Sequence, residues 1–536
     1  MDQTDSTAAK NYKWTGLIGA LLLAIAISLF LHIQFWRTAD LDDLYHFRHA
    51  WIYQTRGFFD SSFPWVQYSV IKDSGADLWY GFHFLLIPFT YIKDPLLALK
   101  VASFAVTTAG VLLIFFSLKR LGIKWPHLWT VLFLTSAPDL FYRFSALRPQ
   151  IISFGLSFLF FAYFFRPADE RRKNSAAFFL ISFVSAWIHG ALFWVNFVIF
   201  AVGSLVEKIS GRKIKFRDFL FVAGGTLLGL LLRPQLLRVF KLIYVQLVRV
   251  FVEKYKETPL LWGTELLHFA GRNFMDQFLP ITAFLLFALF LLYRYRLSLR
   301  KFGGQDKDFK VTFWAVIILS ASFFWLAFAS ARRSADYFWG FAIITVGLIF
   351  THLFEQKWKD VRGMVNSFGI PIFTFVLMVP VFMTGFSVYR YEHSLTKSYR
   401  PERARGAAEW LLANSESGDI VFHTQWDQFA ELFFWNQKNY YINGMDPIFM
   451  YAFNPALYWK QHYFALDQAS SITCGAIRCT KEMAEDSYQV LKEEFRARYI
   501  YLQKQKNPNF LQYLSQDPRF EKTFENAGDI VFRTIQ

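Results

Sequence analysis

The sequence lacks the short motifs by which soluble enzymes bind nucleotides or activate a nucleophile. It contains no glycine-rich phosphate loop, no Gly-x-Ser-x-Gly elbow, no His-Glu-x-x-His pair and no paired Cys-x2-Cys. No internal repeat, low-complexity tract or proline-rich linker is evident either. A soluble catalytic apparatus is therefore not indicated, and no site for ATP or a nucleotide-linked substrate is visible.

Cysteine is almost absent, with only two residues in the chain, Cys474 and Cys479. Their Cys-x4-Cys spacing can close a small disulfide loop if this region faces an oxidising compartment, and two free thiols are the alternative. We predict the disulfide.

Apolar residues are abundant: 54% of the chain is hydrophobic, 20% is aromatic and phenylalanine alone occurs 65 times. The mean hydropathy of +0.26 is too high for a soluble protein of this size. Long apolar runs recur from Thr15 to about Tyr389, whereas the tail has ordinary soluble composition. We therefore predict a transmembrane domain over residues 1–390 and a soluble domain over residues 391–536.

About eleven apolar runs are long enough to span a bilayer, which predicts a polytopic α-helical membrane protein. A cleaved signal peptide is the alternative for the first run, but no small-residue cleavage site follows it and ten more runs do. The predicted spans are 15–35, 97–118, 122–138, 150–165, 176–189, 190–206, 219–232, 279–293, 311–330, 338–353 and 367–389.

The net charge of +16 comes largely from short basic connections between these spans. Five of them fall on the side that also holds the N-terminus, which predicts a multi-pass protein of the cell membrane, with the N-terminus cytoplasmic and the C-terminus outside. The positive charge is thereby explained without a nucleic-acid partner. The basic connections are 119–124, 166–173, 208–217, 294–310 and 357–362.

The first outer loop, residues 37–97, begins with three carboxylates in four residues, Asp40, Asp42 and Asp43. Such mutually repelling groups usually hold a cation, or include one carboxylate with a raised pKa that suits proton abstraction. If the segment is helical, Asp42, His46 and His49 share one face and form a candidate divalent-metal site. The alternative is a solvated segment at the membrane boundary.

The segment Asp42-Asp43-Leu44-Tyr45-His46-Phe47-Arg48 resembles the Asp-x-Tyr-Tyr-His-Met-Arg type segment of oligosaccharyltransferase catalytic subunits, members of the GT-C superfamily of membrane glycosyltransferases. The resemblance implies that Asp42 engages the acceptor and binds a divalent metal, Mg²⁺ or Mn²⁺. It also implies a membrane-hugging helix over residues 81–90. Arg148-Pro149-Gln150 stands where the family has a second acidic motif, so metal dependence stays open.

Two arginine-bearing outer connections fit a phosphate, because a guanidinium group binds phosphate oxygens bidentately. Arg143 and Arg148 lie on the second outer connection, where snorkelling to lipid headgroups is the alternative. Arg332 and Arg333 lie between two later spans and resemble the basic residues that hold the donor phosphate in the family, with pairing to Asp336 as the alternative.

The tail predicts a small α/β domain, with strands at 419–422, 440–442, 498–502 and 529–532 and helices at 404–413 and 428–434. After the first strand, Trp426 and Asp427 match part of the family's Trp-Trp-Asp-Tyr-Gly motif, which implies a role in acceptor binding. Glu265 is a further candidate for the acceptor site.

Taken with these residues, the resemblance implies an inverting glycosyltransferase with a polyprenyl-phosphate-linked sugar donor. The donor phosphate would meet Arg332 and Arg333, with Arg143 and Arg148, and Asp42 would act as base with Asp43 as its substitute. The acceptor is open: a protein, a lipid or a polysaccharide. A transporter or lipid flippase and a non-catalytic membrane scaffold are the two alternatives.

Overall fold

The computed structural model of the chain describes residues 3–33, 37–60, 62–165, 175–212, 216–269, 272–294, 306–355, 361–396 and 398–535. The chain divides into two compact units, each built from three segments. Unit 1 comprises Met1–Ala39, Lys100–Leu230 and Thr264–Ser398, and unit 2 comprises Asp40–Leu99, Leu231–Gly263 and Tyr399–Gln536. The domain boundary between residues 390 and 391 stays a prediction of the sequence.

The first half of the chain is helical throughout. Its helices are α1 Gln3–Ile33, α2 Asp42–Arg56, α3 Val70–Ser74, α4 Tyr80–Leu86, α5 Pro95–Arg120, α6 Pro126–Leu134, α7 Pro138–Arg143, α8 Pro149–Phe164, α9 Ser175–Ile188, α10 Trp194–Ile209 and α11 Phe216–Leu231. A 3₁₀ turn, Ile87–Tyr91, continues α4, so residues 81–90 are helical as predicted.

The middle of the chain adds six helices. They are α12 Val239–Ile243, α13 Val250–Tyr255, α14 Arg272–Arg294, α15 Asp306–Ala329, α16 Ala335–Leu353 and α17 Val361–Thr396. A π-helical turn, Tyr244–Arg249, joins α12 to α13. The joined segment leaves Leu237, Tyr244 and Tyr255 exposed, which fits the apolar face of an amphipathic helix.

Each of the eleven predicted spans overlaps one of these helices. By length and composition, five helices of the described part of the chain can cross a membrane: Gly16–Ile33, Pro95–Arg120, Phe274–Arg294, Phe309–Ala329 and Arg332–Leu353. The chain is thus a multi-pass membrane protein, and the count of eleven stays a prediction. Residues 34–36 of the first predicted span, and most of the basic connections, lie outside the described residues: 166–173, 213–215, 295–305 and 357–360.

Prolines set the helix ends that matter for the site in unit 1. Proline fits the first helical turn, where its missing N–H has no intrahelical partner. Pro138 opens α7, which ends at Arg143, and Pro149 opens α8, so that Arg148 directly precedes a helix start. Both arginines therefore flank one short turn.

In α16, a Cβ at Gly340 would collide with the rings of Phe158 and Phe133, so glycine permits a close approach there.

The tail forms the α/β part of unit 2, as the sequence predicts. Its strands are β1 Ile420–His423, β2 Tyr440–Tyr441, β3 Ile472–Cys474, β4 Ala484–Asp486, β5 Ala497–Gln503, β6 Phe520–Glu525 and β7 Asp529–Thr534. Five of them form a mixed sheet in the order β2-β1-β5-β7-β6. Its helices include Arg405–Asn414 and Gln428–Trp435, within two residues of the predicted bounds. The helices at 447–453, 455–465 and 508–516, and strands β3, β4 and β6, were not predicted.

The first outer loop contributes to this sheet. Residues 65–68 run parallel to β2, with Val66 bridged to Tyr441. The backbone N–H of Tyr441 donates to the carbonyl of Trp65 at 2.7 Å, and that of Gln67 donates back to Tyr441 at 2.8 Å. Strand β2 is therefore paired on both sides.

The small β3–β4 hairpin carries the disulfide between Cys474 and Cys479, which confirms that prediction.

Candidate functional site

The acidic segment of the first outer loop forms the start of α2 in unit 2. The side-chain Oδ1 of Asp40 accepts a hydrogen bond from the backbone N–H of Asp42 at 3.1 Å. The helix places Asp42, His46 and His49 at the predicted helical spacing. Asp43 is buried, whereas Asp42 is half-buried. Of the two candidate bases, Asp42 is therefore the one with access to solvent.

Two histidines of this helix belong to a buried group that we call the histidine–aspartate cluster: His46, His49, Asp77 and His83. Nδ1 of His46 and Nε2 of His83 share a hydrogen bond of 2.8 Å. Nδ1 of His83 lies 2.6 Å from Oδ2 of Asp77, and Nε2 of His49 lies 3.9 Å from the same oxygen. The ring centroids of His49 and His83 are 4.2 Å apart in a stacked arrangement.

The cluster has perturbed protonation equilibria. Burial, together with the neighbouring His83, lowers the pKa of His49 to about 3. Burial alone would raise the pKa of the Asp77 carboxyl, but His83 and His49 hold it well below its usual range. Asp77 is thus an ionised carboxylate in the interior of unit 2.

The metal that the resemblance implies at Asp42 stays a prediction of the sequence. Among the residues that the structure describes, the group whose ligand atoms lie close enough to hold a metal is His49, Asp77 and His83, all within 4.8 Å of one another. Asp42 is not a member, and His46 contacts the group through His83. No catalytic step is therefore assigned to a metal at Asp42.

The predicted acceptor residues of the tail also lie in unit 2. Nε1 of Trp426 donates to the carbonyl of Leu261 at 3.2 Å. Burial, together with the carboxylates of Asp427 and Asp40, raises the pKa of Tyr399 to about 12. Asp427 and the acidic segment therefore share a neighbourhood around Tyr399.

In unit 1, the four predicted phosphate-binding arginines come together through carboxylates; we call Arg143, Arg148, Arg332 and Arg333 the guanidinium cluster. Nη1 of Arg148 donates to Oε2 of Glu265 at 3.2 Å. Arg333 pairs with the other oxygen of Glu265. The backbone N–H of Arg333 also donates to the carbonyl of Glu265 at 3.1 Å, which fixes the two residues side by side.

The other two arginines have their own carboxylates. Nε of Arg332 donates to Oδ2 of Asp139 at 2.9 Å, and its guanidinium lies 4.7 Å from the ring centroid of Phe269. Nε of Arg143 lies 3.2 Å from Oδ1 of Asp336. Asp336 was the predicted alternative partner of Arg332 and Arg333; its close ion pair is with Arg143 instead.

A buried glutamine orients one of these pairs. Nε2 of Gln277 donates to Oδ1 of Asp139 at 2.9 Å, while its Oε1 accepts from the backbone N–H of Asp139 at 3.0 Å. Gln277 is only 3% exposed, so the amide holds Asp139 in one rotamer facing Arg332. Sequence reasoning missed Gln277 and Asp139, because their partners are distant in the chain, and it missed Asp77 and His83, because no motif marks them.

The guanidinium cluster is net cationic. Its four arginines face three carboxylates, which leaves one positive charge. Burial would raise the pKa of the Glu265 carboxyl, but Arg333, Arg148 and Arg143 together lower it to about 2. In addition, the buried Nε of Arg333 has no hydrogen-bond partner among the described residues. The arrangement can therefore accept a further anion.

No family model matches the sequence, and no curated protein matches it. The solved structures that share its fold include two of ArnT from Cupriavidus metallidurans. The apo form superposes with a TM-score of 0.51 at 11% identity, covering 98% of this chain and 98% of that chain. The form bound to undecaprenyl phosphate gives 0.52 at 11% identity, covering 97% and 98%. The chain has the fold of ArnT over nearly its whole length.

Proposed function

We propose that this protein is a GT-C-type glycosyltransferase that transfers a sugar from a polyprenyl-phosphate-linked donor to an acceptor on the outer face of the membrane. The observation that carries the proposal is the guanidinium cluster, which gathers Arg143, Arg148, Arg332 and Arg333 from two distant parts of the sequence around carboxylates. The N-terminus is cytoplasmic and the C-terminus external in this proposal, as the basic connections predict.

The donor phosphate is the anion that the cluster would take. Arginine suits phosphate because its planar fork donates two parallel hydrogen bonds. In the absence of donor, Glu265 occupies Arg148 and Arg333, and the phosphate would displace this carboxylate. The crystal structure of ArnT bound to undecaprenyl phosphate supports a long polyprenyl carrier.

The chemistry requires a base and a stabilised leaving group. An acceptor hydroxyl oxygen would form a bond to the anomeric carbon while the bond from that carbon to the donor phosphate oxygen breaks. The hydroxyl proton would pass to Asp42, and the polyprenyl phosphate would leave, with its charge stabilised by the arginines. A single displacement of this kind inverts the anomeric centre.

The acceptor would approach the acidic segment from the side of Tyr399 in unit 2. Trp426 and Asp427 are half-buried there, which suits residues that contact a substrate at one face. The predicted acceptor role of Glu265 is less well supported, since its carboxylate already binds two arginines. The acceptor class stays open between protein, lipid and polysaccharide.

Binding of the carrier tests the proposal directly. We expect undecaprenyl phosphate to raise the melting temperature of the purified protein in detergent, whereas the neutral lipid undecaprenol does not. Because a charged hydrogen bond contributes about 1.5–3 kcal/mol, Arg333→Gln should weaken this binding about 10-fold or more.

Arg390→Gln is the matched control, because Arg390 also pairs with a carboxylate in unit 1, Asp276, at 3.4 Å. The control should bind the lipid phosphate as the wild type does. Equal stabilisation by undecaprenol and undecaprenyl phosphate would contradict the phosphate site. It would favour a transporter of other cargo or a membrane scaffold.

A further inference from the structure

The histidine–aspartate cluster has a geometry that sugar transfer does not use. Its three inward-facing ligand atoms are Nε2 of His49, Oδ2 of Asp77 and Nδ1 of His83, and all three residues are buried. We propose that these residues bind a divalent transition-metal ion such as Zn²⁺, in a site distinct from the donor and acceptor sites.

The ligand spacing is close to that of a metal site. Ligand atoms about 2.1 Å from one tetrahedral ion lie roughly 3.4 Å from each other. The distances from Oδ2 of Asp77, 2.6 Å to His83 and 3.9 Å to His49, fall on either side of this value. The carboxylate oxygen is therefore within an ångström of the ligand spacing to each histidine, and all three ligand atoms lie within 4.8 Å of one another.

The outer nitrogens of both histidines are already oriented. Histidines that bind metals usually donate their second ring N–H to a neighbouring acceptor, which fixes the ring and its tautomer. Nδ1 of His49 lies 2.9 Å from the hydroxyl of Tyr45, and Nε2 of His83 lies 2.8 Å from Nδ1 of His46. Each histidine thus has a partner on the far side and a nitrogen left for the centre.

The carboxylate is held in the same way. Oδ1 of Asp77 accepts from the backbone N–H of Trp79 at 2.8 Å, and Oδ2 accepts from the hydroxyl of Tyr53 at 3.0 Å. Arg233 donates to the backbone carbonyl of Asp77 at 2.8 Å. The hydrogen-bonded partners of the carboxylate are therefore neutral groups and an imidazole. A cation at the centre would neutralise the negative charge of the carboxylate.

Space for one more ligand adjoins His49 and Asp77. A cavity of about 10 Å³ is lined by Tyr45, His49 and Asp77, among other residues. This is about the volume that one water molecule requires. Two imidazole nitrogens, one carboxylate oxygen and one water make the four-coordinate N and O set that Zn²⁺ prefers, whereas Mg²⁺ prefers six oxygen ligands.

Without an ion, the same residues form a simple relay in which His46 donates to His83 and His83 donates to Asp77. Binding would replace the proton between His83 and Asp77 by the ion and shift His83 to its other tautomer. His46 would then accept from His83 and carry its own proton on Nε2. No redox step is involved, and the ring protons are conserved.

Metal content and the visible spectrum of a cobalt substitute test the proposal. We expect the purified chain, treated with chelator and then dialysed against ZnCl₂, to retain about one zinc ion per molecule. Replacement by Co²⁺ should give the intense visible bands of a tetrahedral site, and a tenfold excess of Mg²⁺ should not displace it.

Asp77→Asn and His49→Gln should each lose the zinc and the cobalt bands. The matched control His462→Gln should keep both, because His462 is also buried in unit 2 and its ring also contacts a tyrosine, Tyr458. Wild-type protein without zinc or cobalt bands would overturn the proposal even if both variants fail to fold. Retention of the cobalt bands by folded Asp77→Asn would overturn it as well.

Discussion

Two glutamates, one in each unit, contact arginine with opposite effects on their protonation. In unit 1, three guanidinium groups outweigh burial and lower the pKa of Glu265 to about 2. In unit 2, burial outweighs the single close Arg403 and, together with Asp427, raises the pKa of Glu431 to about 7. The nearest Arg403 nitrogen lies only 2.6 Å from Oε1 of Glu431, so contact alone does not decide the outcome.

The difference lies in the local balance of charge. The guanidinium cluster has more cations than carboxylates and remains electropositive after internal pairing. The region around Glu431 and Asp427 has more carboxylates than nearby guanidinium groups and favours proton uptake. We infer that unit 1 is built to hold an anion, and that the acidic region of unit 2 is built to hold or accept a proton.

The largest effect should come from the proposed base. Asp42→Asn removes the proton acceptor and should slow sugar transfer by about 100-fold or more, while undecaprenyl phosphate binding stays intact. Transfer is measured in membrane vesicles at matched expression. Asp73→Asn, an exposed aspartate of the same loop, is the control. Unchanged transfer in Asp42→Asn would break the assignment of proton chemistry to unit 2.

Glu265→Gln should sharpen the role of unit 1. The carboxylate competes with phosphate for Arg148 and Arg333, so its loss should tighten undecaprenyl phosphate binding several-fold. The affinity is measured by lipid titration of the melting temperature, with the exposed Glu392→Gln as control. Weaker binding in Glu265→Gln would show that the carboxylate supports the phosphate site instead of competing for it.

The same glutamate predicts an acid limit to stability. The folded-state pKa of Glu265, about 2, lies below its ordinary value of 4.5. Its stabilising contribution is therefore complete above pH 4.5 and is lost as the pH falls toward 2. The melting temperature of the wild type should fall across this window, and that of Glu265→Gln should fall less.

Glu431 predicts the opposite sign. Its folded-state pKa of about 7 lies above the ordinary 4.5, so the folded protein binds more protons than the unfolded one between these values. Stability should thus decline as the pH rises from 4.5 to 7. Glu431→Gln should lose this slope, whereas the exposed Glu409→Gln should keep it. Parallel slopes for Glu431 and Glu265 would remove the contrast between the units.

The smallest effect should come from the disulfide. Cys474 and Cys479 close a loop of sequence separation 5, so the chain-entropy contribution is about 2 kcal/mol. Replacing both by serine should lower the melting temperature slightly and leave sugar transfer unchanged. A loss of transfer would place the β3–β4 hairpin in the acceptor site.

Local patterns predicted much of the fold. Apolar runs located the helices, because length and hydropathy are properties of one segment. In the tail, β1 and β5 fell within two residues of their observed bounds, since alternation and flanking turns are also local. Strand β6 was missed because charged residues cover its exposed positions, as in Glu521 and Lys522.

The site was predicted only as far as residue types allow. The arginines on outer connections and the carboxylates after the first span could be predicted, because charged residues cluster there on the outer side of the predicted spans. Their partners were not visible, because Arg332 finds Asp139 across 193 positions and His46 finds His83 across 37. Pairing at such separations is decided by how the elements pack, which no short motif encodes.

Residues 65–68 pair with the edge of the sheet, and this pairing matters for any fragment that contains the tail alone. If the chain from Tyr399 onward were secreted by itself, β2 would present unsatisfied N–H and C=O groups along one side. Such an unpaired edge strand can pair with the same strand of a second copy of the fragment. Residues 65–68 therefore cover the edge of β2, and a fragment that begins at Tyr399 would need them beside Tyr441 to remain monomeric.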